Sequence, residues 1–166
     1  MSEPLLTITA YGTPVGQGAI SHGRHGRGYH SNAATLLPWR AAVAAAAMRT
    51  AGTHAHQPPL GIAPRSGPCL RCGIRRAEHG LLDGPLALAV DIALPILKSD
   101  PDRAEPTTRS SHDWDHHARA VGDALGEASI WRDDSQVVDG RLRKRYVGHP
   151  DALERPGALI RIWKAS

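Results

Sequence analysis

The alternation of apolar and polar positions predicts four β-strands. Residues 5–11 alternate and stop before Gly12. Residues 86–94 alternate bulky Leu, Val and Ile with Ala and Asp, which gives one large and one small face. We expect the small face to let a helix approach closely. A period of two returns over 136–147, and residues 159–163 form a last short strand.

Two further segments predict helices. The first is expected to begin at Pro38, a residue favoured at the first helical position, to continue through the alanine-rich segment 39–48 and to stop by Gly52. The second covers about 116–128, and Asp115 is expected to be its N-cap because a carboxylate accepts the unpaired amide hydrogens there. Its apolar stripe has the spacing of a helix that is buried on one side: Ala118, Val121, Leu125 and Ala128.

The order strand, helix, strand, helix, strand, strand predicts an α+β fold in which a mixed β-sheet packs against two helices. A length of 166 residues favours one small domain, residues 1–166. Residues 16–31 are rich in Gly, Arg and His without a helix or strand period, and we expect a mobile basic loop. Residues 54–83 form a loop-like insert that contains both cysteines.

Composition limits the function classes. Leu, Ile and Val total 32 residues and Phe is absent, so the core of large side chains is thin. The longest apolar run, 41–48, is too short to cross a bilayer, and residues 1–4 do not begin a signal peptide. Two cysteines do not make a disulfide scaffold. We expect a cytoplasmic, nucleoid-associated protein with no membrane partner.

The charges are distributed unevenly. Seventeen of the 20 basic residues are Arg, and the net charge is +4. Eight of the 11 aspartates lie between Asp100 and Asp139. Because a guanidinium forms paired hydrogen bonds with oxyanions, the arginine surplus suits phosphate contacts.

Four of these aspartates flank the second helix. Asp113 and Asp115 precede it at a spacing of two, and Asp133 and Asp134 follow it. If they converge, their mutual repulsion is relieved by a hard divalent cation such as Mg²⁺, which prefers oxygen ligands. Such an ion supports in-line displacement at a phosphodiester. The alternative is that these aspartates only cap helices and turns.

Basic residues accompany the aspartates. Arg119 lies one helical turn after Asp115 and can contact the scissile phosphate or balance the carboxylates. The predicted strand 136–147 carries four more cations that can attract a DNA backbone: Arg141, Arg143, Lys144 and Arg145. A solvated strand face is the alternative for this group.

Three blocks in this region resemble the RusA family of Holliday-junction resolvases. The family pattern is D-x-D-N-L-x-K, then D-A-L, then W-x-D-D-x-Q-V-V, and it matches residues 113–119, 123–125 and 131–138 without a gap in spacing. The close resemblance covers residues 113–146, with a looser one over residues 5–48 and 86–95. The resemblance implies a homodimeric, Mg²⁺-dependent endodeoxyribonuclease with a RusA-like fold. Such an enzyme resolves four-way DNA junctions by paired symmetric nicks in recombination and repair.

The resemblance also assigns roles. Asp113, Asp115 and Asp134 match the metal-binding and catalytic aspartates, Asp133 matches a supporting acidic neighbour, and Arg119 stands where the family has a functional lysine. His116 and His117 replace the family's Asn-Leu, which puts the preferred substrate in question. Two interpretations of His116 are open. It contacts a DNA phosphate, or it is an exposed histidine at the start of the helix with no role in function.

The cysteines suggest a second metal. Cys69 and Cys72 have the spacing of a zinc knuckle, and His79 follows as a third ligand. The fourth Zn²⁺ ligand is open among His54, His56, Glu78 and Asp83. The alternative is a pair of reduced cysteines in a surface insert.

Two other functions compete with junction resolution. One is a nuclease for other branched DNA, such as flaps and forks. The other is a noncatalytic zinc-knuckle DNA-binding protein whose aspartates are caps. A binding protein does not need the complete carboxylate set, and this favours the enzyme.

Overall fold

A four-stranded mixed sheet and two helices form the fold. The computed structural model describes residues 3–22, 28–60 and 67–165. The elements in chain order are β1 (Leu6–Tyr11), β2 (Ile20–His22), β3 (Gly28–His30), α1 (Ala33–Ala51), β4 (Leu86–Leu94), α2 (Trp114–Glu127), β5 (Val137–Tyr146) and β6 (Gly157–Lys164). The main sheet has the order β1-β6-β4-β5, and the α+β prediction is confirmed. No helix in the described part of the chain is both long and apolar enough to cross a bilayer.

The connection between β4 and β5 positions the aspartates. These two strands are parallel neighbours, so the chain must cross back between them, and α2 makes that crossover. β6 is antiparallel to both β1 and β4. Because α2 runs opposite to the strands, its start lies towards the ends of β4 and β5. Its end leads to the start of β5, where Asp134 lies.

Both helices share one core with the bulky face of the sheet. Large buried side chains of this core come from every layer: Ile8, Trp39, Val43, Leu86, Val90, Ile92, Val121, Leu125, Ile160 and Ile162. The expectation that a helix approaches the small face of β4 is wrong, because the bulky face buries more apolar area. The small face instead carries Asp91, which pairs with Arg143 and Arg161 from the neighbouring strands.

The predicted helix starts need correction. α1 begins at Ala33, and Pro38 lies inside it, where the missing N–H leaves the carbonyl of Ala34 without its usual partner. Its end is as predicted, because Gly52 adopts the left-handed conformation with φ 69°. The N-cap of α2 is Asp113, so Asp115 lies in the first turn and the expectation that it caps the helix is wrong.

The loop predictions hold only in part. Residues 16–31 include the antiparallel strand pair β2 and β3. The sequence did not predict these strands because their alternation of apolar and polar residues is weak. The residues between these strands, including Arg24 and Arg27, lie outside the described residues. The described parts of 54–83 are irregular apart from a bridge between Pro68 and Arg75 and a 3₁₀ turn at Arg76–Glu78.

Candidate active site and a second ligand cluster

Three ligand-bearing side chains meet at the start of α2. Asp113, Asp115 and His116 each offer one ligand atom, and these atoms lie within 4.8 Å of one another. Asp113 is exposed and makes no capping hydrogen bond, so its carboxylate is not used by the helix. Asp115 and His116 are half-buried. Two carboxylates and one imidazole at the partly exposed start of α2 suit a divalent cation that keeps several waters.

The backbone before Asp113 is held by Lys144. Lys144 Nζ donates to the carbonyl of His112 at 2.6 Å and to Ser111 Oγ at 3.3 Å. His112 has φ 57°, a strained value for a residue with a side chain, and the hydrogen bond from Lys144 helps to hold this conformation. Burial lowers the pKa of Lys144, and the charge of Asp113 partly opposes that shift. Lys144 therefore positions the approach to Asp113, and its ammonium is not free on the surface.

A segment near the N-terminus covers the same site. Gln17 N–H donates to the His116 carbonyl at 2.9 Å. A Cβ on Gly16 would lie 2.7 Å from His112 Cβ and 2.9 Å from His116 Cβ, so only glycine allows this approach. Asn32 Nδ2 holds the Gly16 carbonyl at 2.8 Å. The segment thus packs directly against the ligand cluster.

Arg119 pairs with Asp115 as its spacing predicts. Its Nη2 lies 2.6 Å from Asp115 Oδ2, and both side chains are about half-exposed. Arg119 also lines a cavity of about 210 Å³ between α2 and β5, together with Asp134 and Arg141. The wall of the cavity on α2 includes Gly122, where an added Cβ meets nothing within 4 Å. The cavity therefore joins Arg119 to Asp134.

The aspartates after α2 have separate positions. Asp134 is exposed at the start of a 3₁₀ turn, and it is not in the 4.8 Å group of Asp113, Asp115 and His116. Asp133 Oδ1 accepts from Ser135 N–H at 2.9 Å as part of a capping box. The full convergence of the carboxylates that we considered is not observed. The structure gathers two carboxylates and a histidine, with Asp134 farther along the cavity.

His117 is part of the packing rather than of the site. It is completely buried, and its Nε2 donates to the Ser111 carbonyl at 2.8 Å. Since a carbonyl only accepts, Nε2 carries the proton. Burial lowers the pKa of His117 to about 4, so the ring is neutral near pH 7. It fills the place that the family pattern gives to leucine.

The basic residues of β5 divide into paired and free groups. Arg143 Nε donates to Asp91 at 2.6 Å, and Arg145 Nη1 lies 3.1 Å from Glu105. Arg141 is exposed and has no ion-pair partner among residues 3–22, 28–60 and 67–165. Of the four predicted DNA-contacting cations on this strand, Arg141 is the one without a side-chain partner in the part of the chain that the structure describes.

A second ligand cluster lies in the insert. Ligand atoms of His54, Cys69, Cys72 and His79 all lie within 4.8 Å of one another. The predicted trio of Cys69, Cys72 and His79 is thus brought together, and His54 supplies the fourth atom. Of the other candidates for this position, Asp83 instead forms an ion pair with Arg132.

Sequence reasoning missed two contributors to the site at α2. Period-two alternation places Lys144 on the same face of the strand as Leu142 and Tyr146, opposite the arginines, which is the signal for an inward ammonium. Its charge alone had predicted a DNA contact. Gly16 and Gln17 lie in a segment whose glycines suggested mobility. A glycine next to polar residues is also typical of a backbone that approaches another part of the protein closely. Only the fold shows which residues this backbone contacts.

Comparison with models of known protein families finds a match. The family model described as endodeoxyribonuclease RusA matches residues 73–154. This span includes α2, both aspartate pairs and β5, and it also includes His79. His54, Cys69 and Cys72 precede it. No curated protein matches the chain.

Proposed function

We propose, from the match of residues 73–154 to the endodeoxyribonuclease RusA family model, that this chain is a Mg²⁺-dependent nuclease for four-way DNA junctions. In our proposal it makes paired symmetric nicks in recombination and repair. The observation that carries the proposal is the grouping of Asp113, Asp115 and His116 beside Arg119 in the family-matched segment.

The donor set fits a hard divalent cation. Mg²⁺ is usually bound through one or two carboxylates and keeps several waters, which agrees with the exposure of Asp113 and the half-burial of Asp115. When bound, Mg²⁺ supplies an activated water and stabilises charge on the phosphodiester. We propose that Asp113 and Asp115 hold it and that His116 is a further ligand or a phosphate contact.

Arg119 and Asp134 act along the cavity in this proposal. Arg119 balances the charge of Asp115, and a cation at Asp115 would take over that task. The guanidinium is then available to bind the scissile phosphate through paired hydrogen bonds. Asp134 faces the same cavity and serves as the third acidic catalytic group, which orients water on the strand being cut. Asp133 supports it by capping the turn.

We also propose that the whole of residues 1–166 acts as one domain and that two copies form a homodimer. A four-way junction has approximate two-fold symmetry, so two equivalent sites related by a two-fold axis match paired nicks. The scarcity of large aliphatic residues supports added burial between copies. Sedimentation of the pure protein measures this directly, and a monomer at assay concentration would contradict it.

A cleavage assay tests the nuclease proposal. A labelled four-way junction, a flap, a fork and plain duplex are each incubated with the protein and Mg²⁺. We expect paired nicks on the junction and at least a hundredfold loss with Asp115→Asn, because the cation loses one of its two carboxylates. Asp102→Asn makes the same chemical change at an exposed loop position and should cleave like the parent.

Other outcomes identify the competing functions. Faster cleavage of flaps or forks than of the junction indicates a nuclease for other branched DNA. Binding without cleavage by the parent protein, at any Mg²⁺ or Mn²⁺ concentration, favours the noncatalytic zinc-knuckle protein. Equal cleavage by the parent and Asp115→Asn contradicts the assigned metal site.

A further inference from the structure

We infer that the insert binds one structural Zn²⁺ through His54, Cys69, Cys72 and His79, and that this ion anchors the segment leading to Asp134. The site is separate from the carboxylates at α2 and does not depend on the proposed nuclease function. His54 completes a Cys₂His₂ set, which is a usual composition for structural zinc.

The distances match tetrahedral zinc. Zn–N bonds near 2.05 Å and Zn–S bonds near 2.3 Å at tetrahedral angles place two nitrogens about 3.3 Å apart and a nitrogen and a sulfur about 3.6 Å apart. His54 Nε2 and His79 Nε2 are 3.3 Å apart, and Cys69 Sγ lies 3.7 Å from His54 Nε2. Both cysteines are free, so both sulfurs are available to an ion.

The backbone of the knuckle suits the two cysteines. Gly73 N–H donates to the Cys69 carbonyl at 2.7 Å, and Cys69 N–H donates to the Ile74 carbonyl at 2.8 Å. Gly73 has φ 76°, which a residue with a side chain rarely adopts, so the turn after Cys72 requires glycine. Gln57 N–H also points to Cys69 Sγ at 3.5 Å, a contact that favours a thiolate.

His79 connects the cluster to the end of α2. Its Nδ1 lies 2.6 Å from Ser129 Oγ, which fixes the ring so that Nε2 faces the other three ligands. Such an outer contact is usual for a metal-bound histidine. Ser129 has φ 57°, so the chain leaves α2 through a strained residue that the insert holds.

More contacts fasten the insert to the segment 128–134. Leu81 N–H and Leu82 N–H donate to the carbonyls of Ser129 and Ile130 at 3.0 and 2.8 Å. Thr53 Oγ1, next to His54, donates to the Ala128 carbonyl at 2.7 Å. An ion bound to both His54 and His79 therefore links the contact next to His54 with the contacts that follow His79. It fixes the path of the chain towards Asp134.

Elemental analysis of the untagged full chain, purified without chelator, tests the site. We expect about one zinc per chain in the parent and at least a fivefold loss in Cys72→Ser, whose side chain is exposed and is not needed for packing. Glu78→Gln is the matched control, since Glu78 is exposed beside His79 but outside the cluster, and it should keep its zinc. A parent without zinc, or Cys72→Ser with full zinc, overturns the assignment.

Hydrogen exchange tests the link to the segment 128–134. A nitrogen chelator that takes Zn²⁺ is added with Mg²⁺ in excess, and exchange at the Leu81 and Leu82 amides is measured before and after. We expect exchange to accelerate about tenfold or more and to return when Zn²⁺ is restored. Unchanged exchange after complete removal of zinc would overturn the anchoring role while leaving the site itself to the elemental analysis.

Discussion

The ligand cluster at the start of α2 mixes oxygen and nitrogen donors. Asp113 and Asp115 supply carboxylates, and His116 adds an imidazole within 4.8 Å of both. Magnesium favours oxygen ligands, whereas an imidazole nitrogen is a better ligand for transition metals such as manganese. If a divalent cation binds this cluster, its identity therefore depends on His116, one of the positions that depart from the family pattern.

Exchanging His116 for the family's asparagine should change the metal preference. In the parent, we expect Mn²⁺ to give half-maximal junction cleavage at a concentration about tenfold below that of Mg²⁺. In His116→Asn the two concentrations should approach each other, because an amide oxygen replaces the nitrogen. Metal titrations of cleavage rate measure both ratios. An identical ratio in parent and variant would show that His116 is not a ligand.

Asp91 illustrates a charged residue with a structural role. Burial alone would raise the pKa of Asp91, but hydrogen bonds and charge from Arg143 and Arg161 outweigh it and lower the pKa. The carboxylate thus stabilises the fold above its unfolded pKa of about 4, and that stabilisation is lost as the pH falls through the lower folded pKa.

Replacing Asp91 by asparagine should therefore destabilise the fold in a pH-dependent way. We expect Asp91→Asn to lower the free energy of unfolding by about 1–3 kcal/mol at pH 7, because two arginines lose their shared partner. The difference from the parent should shrink progressively as the pH falls below about 4, where the unfolded carboxylate takes up a proton, and on through the lower pKa of the folded carboxylate. Urea unfolding at pH 7 and pH 3 measures it, with Asp102→Asn as the control. An equal difference at both pH values would contradict the ion-pair explanation.

At the scale of elements, β5 combines two kinds of arginine on one face. Arg141 is exposed and unpaired within the described ranges, whereas Arg143 is bound to Asp91. We expect Arg141→Ala to reduce the slope of log binding constant against log salt by about one, and to leave stability within about 0.5 kcal/mol. Arg143→Ala should lower the unfolding free energy by about 1–3 kcal/mol. Binding at several salt concentrations and urea unfolding separate the two, and the opposite assignment of effects would contradict this division.

The elements show what local sequence can specify. The strand over 86–94 was predicted with its observed bounds because its alternation is strict and long. The start of α1 was missed because Pro38 is itself favoured as a first helical residue, although Asn32 is of a type favoured at the N-cap. Tertiary packing of Leu36 outweighs the cost of Pro38 inside the helix. The pair β2 and β3 was missed because three-residue strands carry too little alternation to detect.

The site shows the same division between local and distant information. The spacing of Asp113, Asp115 and Arg119 is local, and the expected ion pair of Arg119 with Asp115 is observed. The separation of Asp134 from Asp113 and Asp115 depends on the length of α2 and on the register of β5. A local sequence pattern does not determine that register. The choice of His54 over His56 in the second cluster likewise depends on a fold of the insert that has no periodicity.

At the scale of the whole molecule, the site at α2 extends beyond the family-matched segment. Residues 73–154 contain the aspartates, but the backbone that covers His116 comes from Gly16 and Gln17. Asn32, just before α1, holds that backbone in turn through the Gly16 carbonyl and the Gly18 N–H. The first part of the chain therefore supports the geometry of the ligand cluster as well as supplying core residues.

Adding a methyl group at Gly16 should test whether the N-terminal segment holds the ligand cluster in place. In Gly16→Ala the new Cβ would meet His112 Cβ at 2.7 Å and His116 Cβ at 2.9 Å, and a Cβ cannot rotate away from a clash. Either the N-terminal segment or the start of α2 must shift. We expect junction cleavage to fall by about tenfold or more and the unfolding free energy to drop by about 1–3 kcal/mol.

Gly126→Ala makes the same chemical change within α2, where the new Cβ meets only Trp131 Nε1, at the ordinary distance of 3.7 Å. This control should keep full cleavage and gain up to about 1 kcal/mol, because alanine favours a helix over glycine. Cleavage rates and urea unfolding of both variants complete the comparison. If Gly16→Ala cleaves and unfolds like the parent, the N-terminal segment does not hold the site, and the metal geometry depends on the matched segment alone.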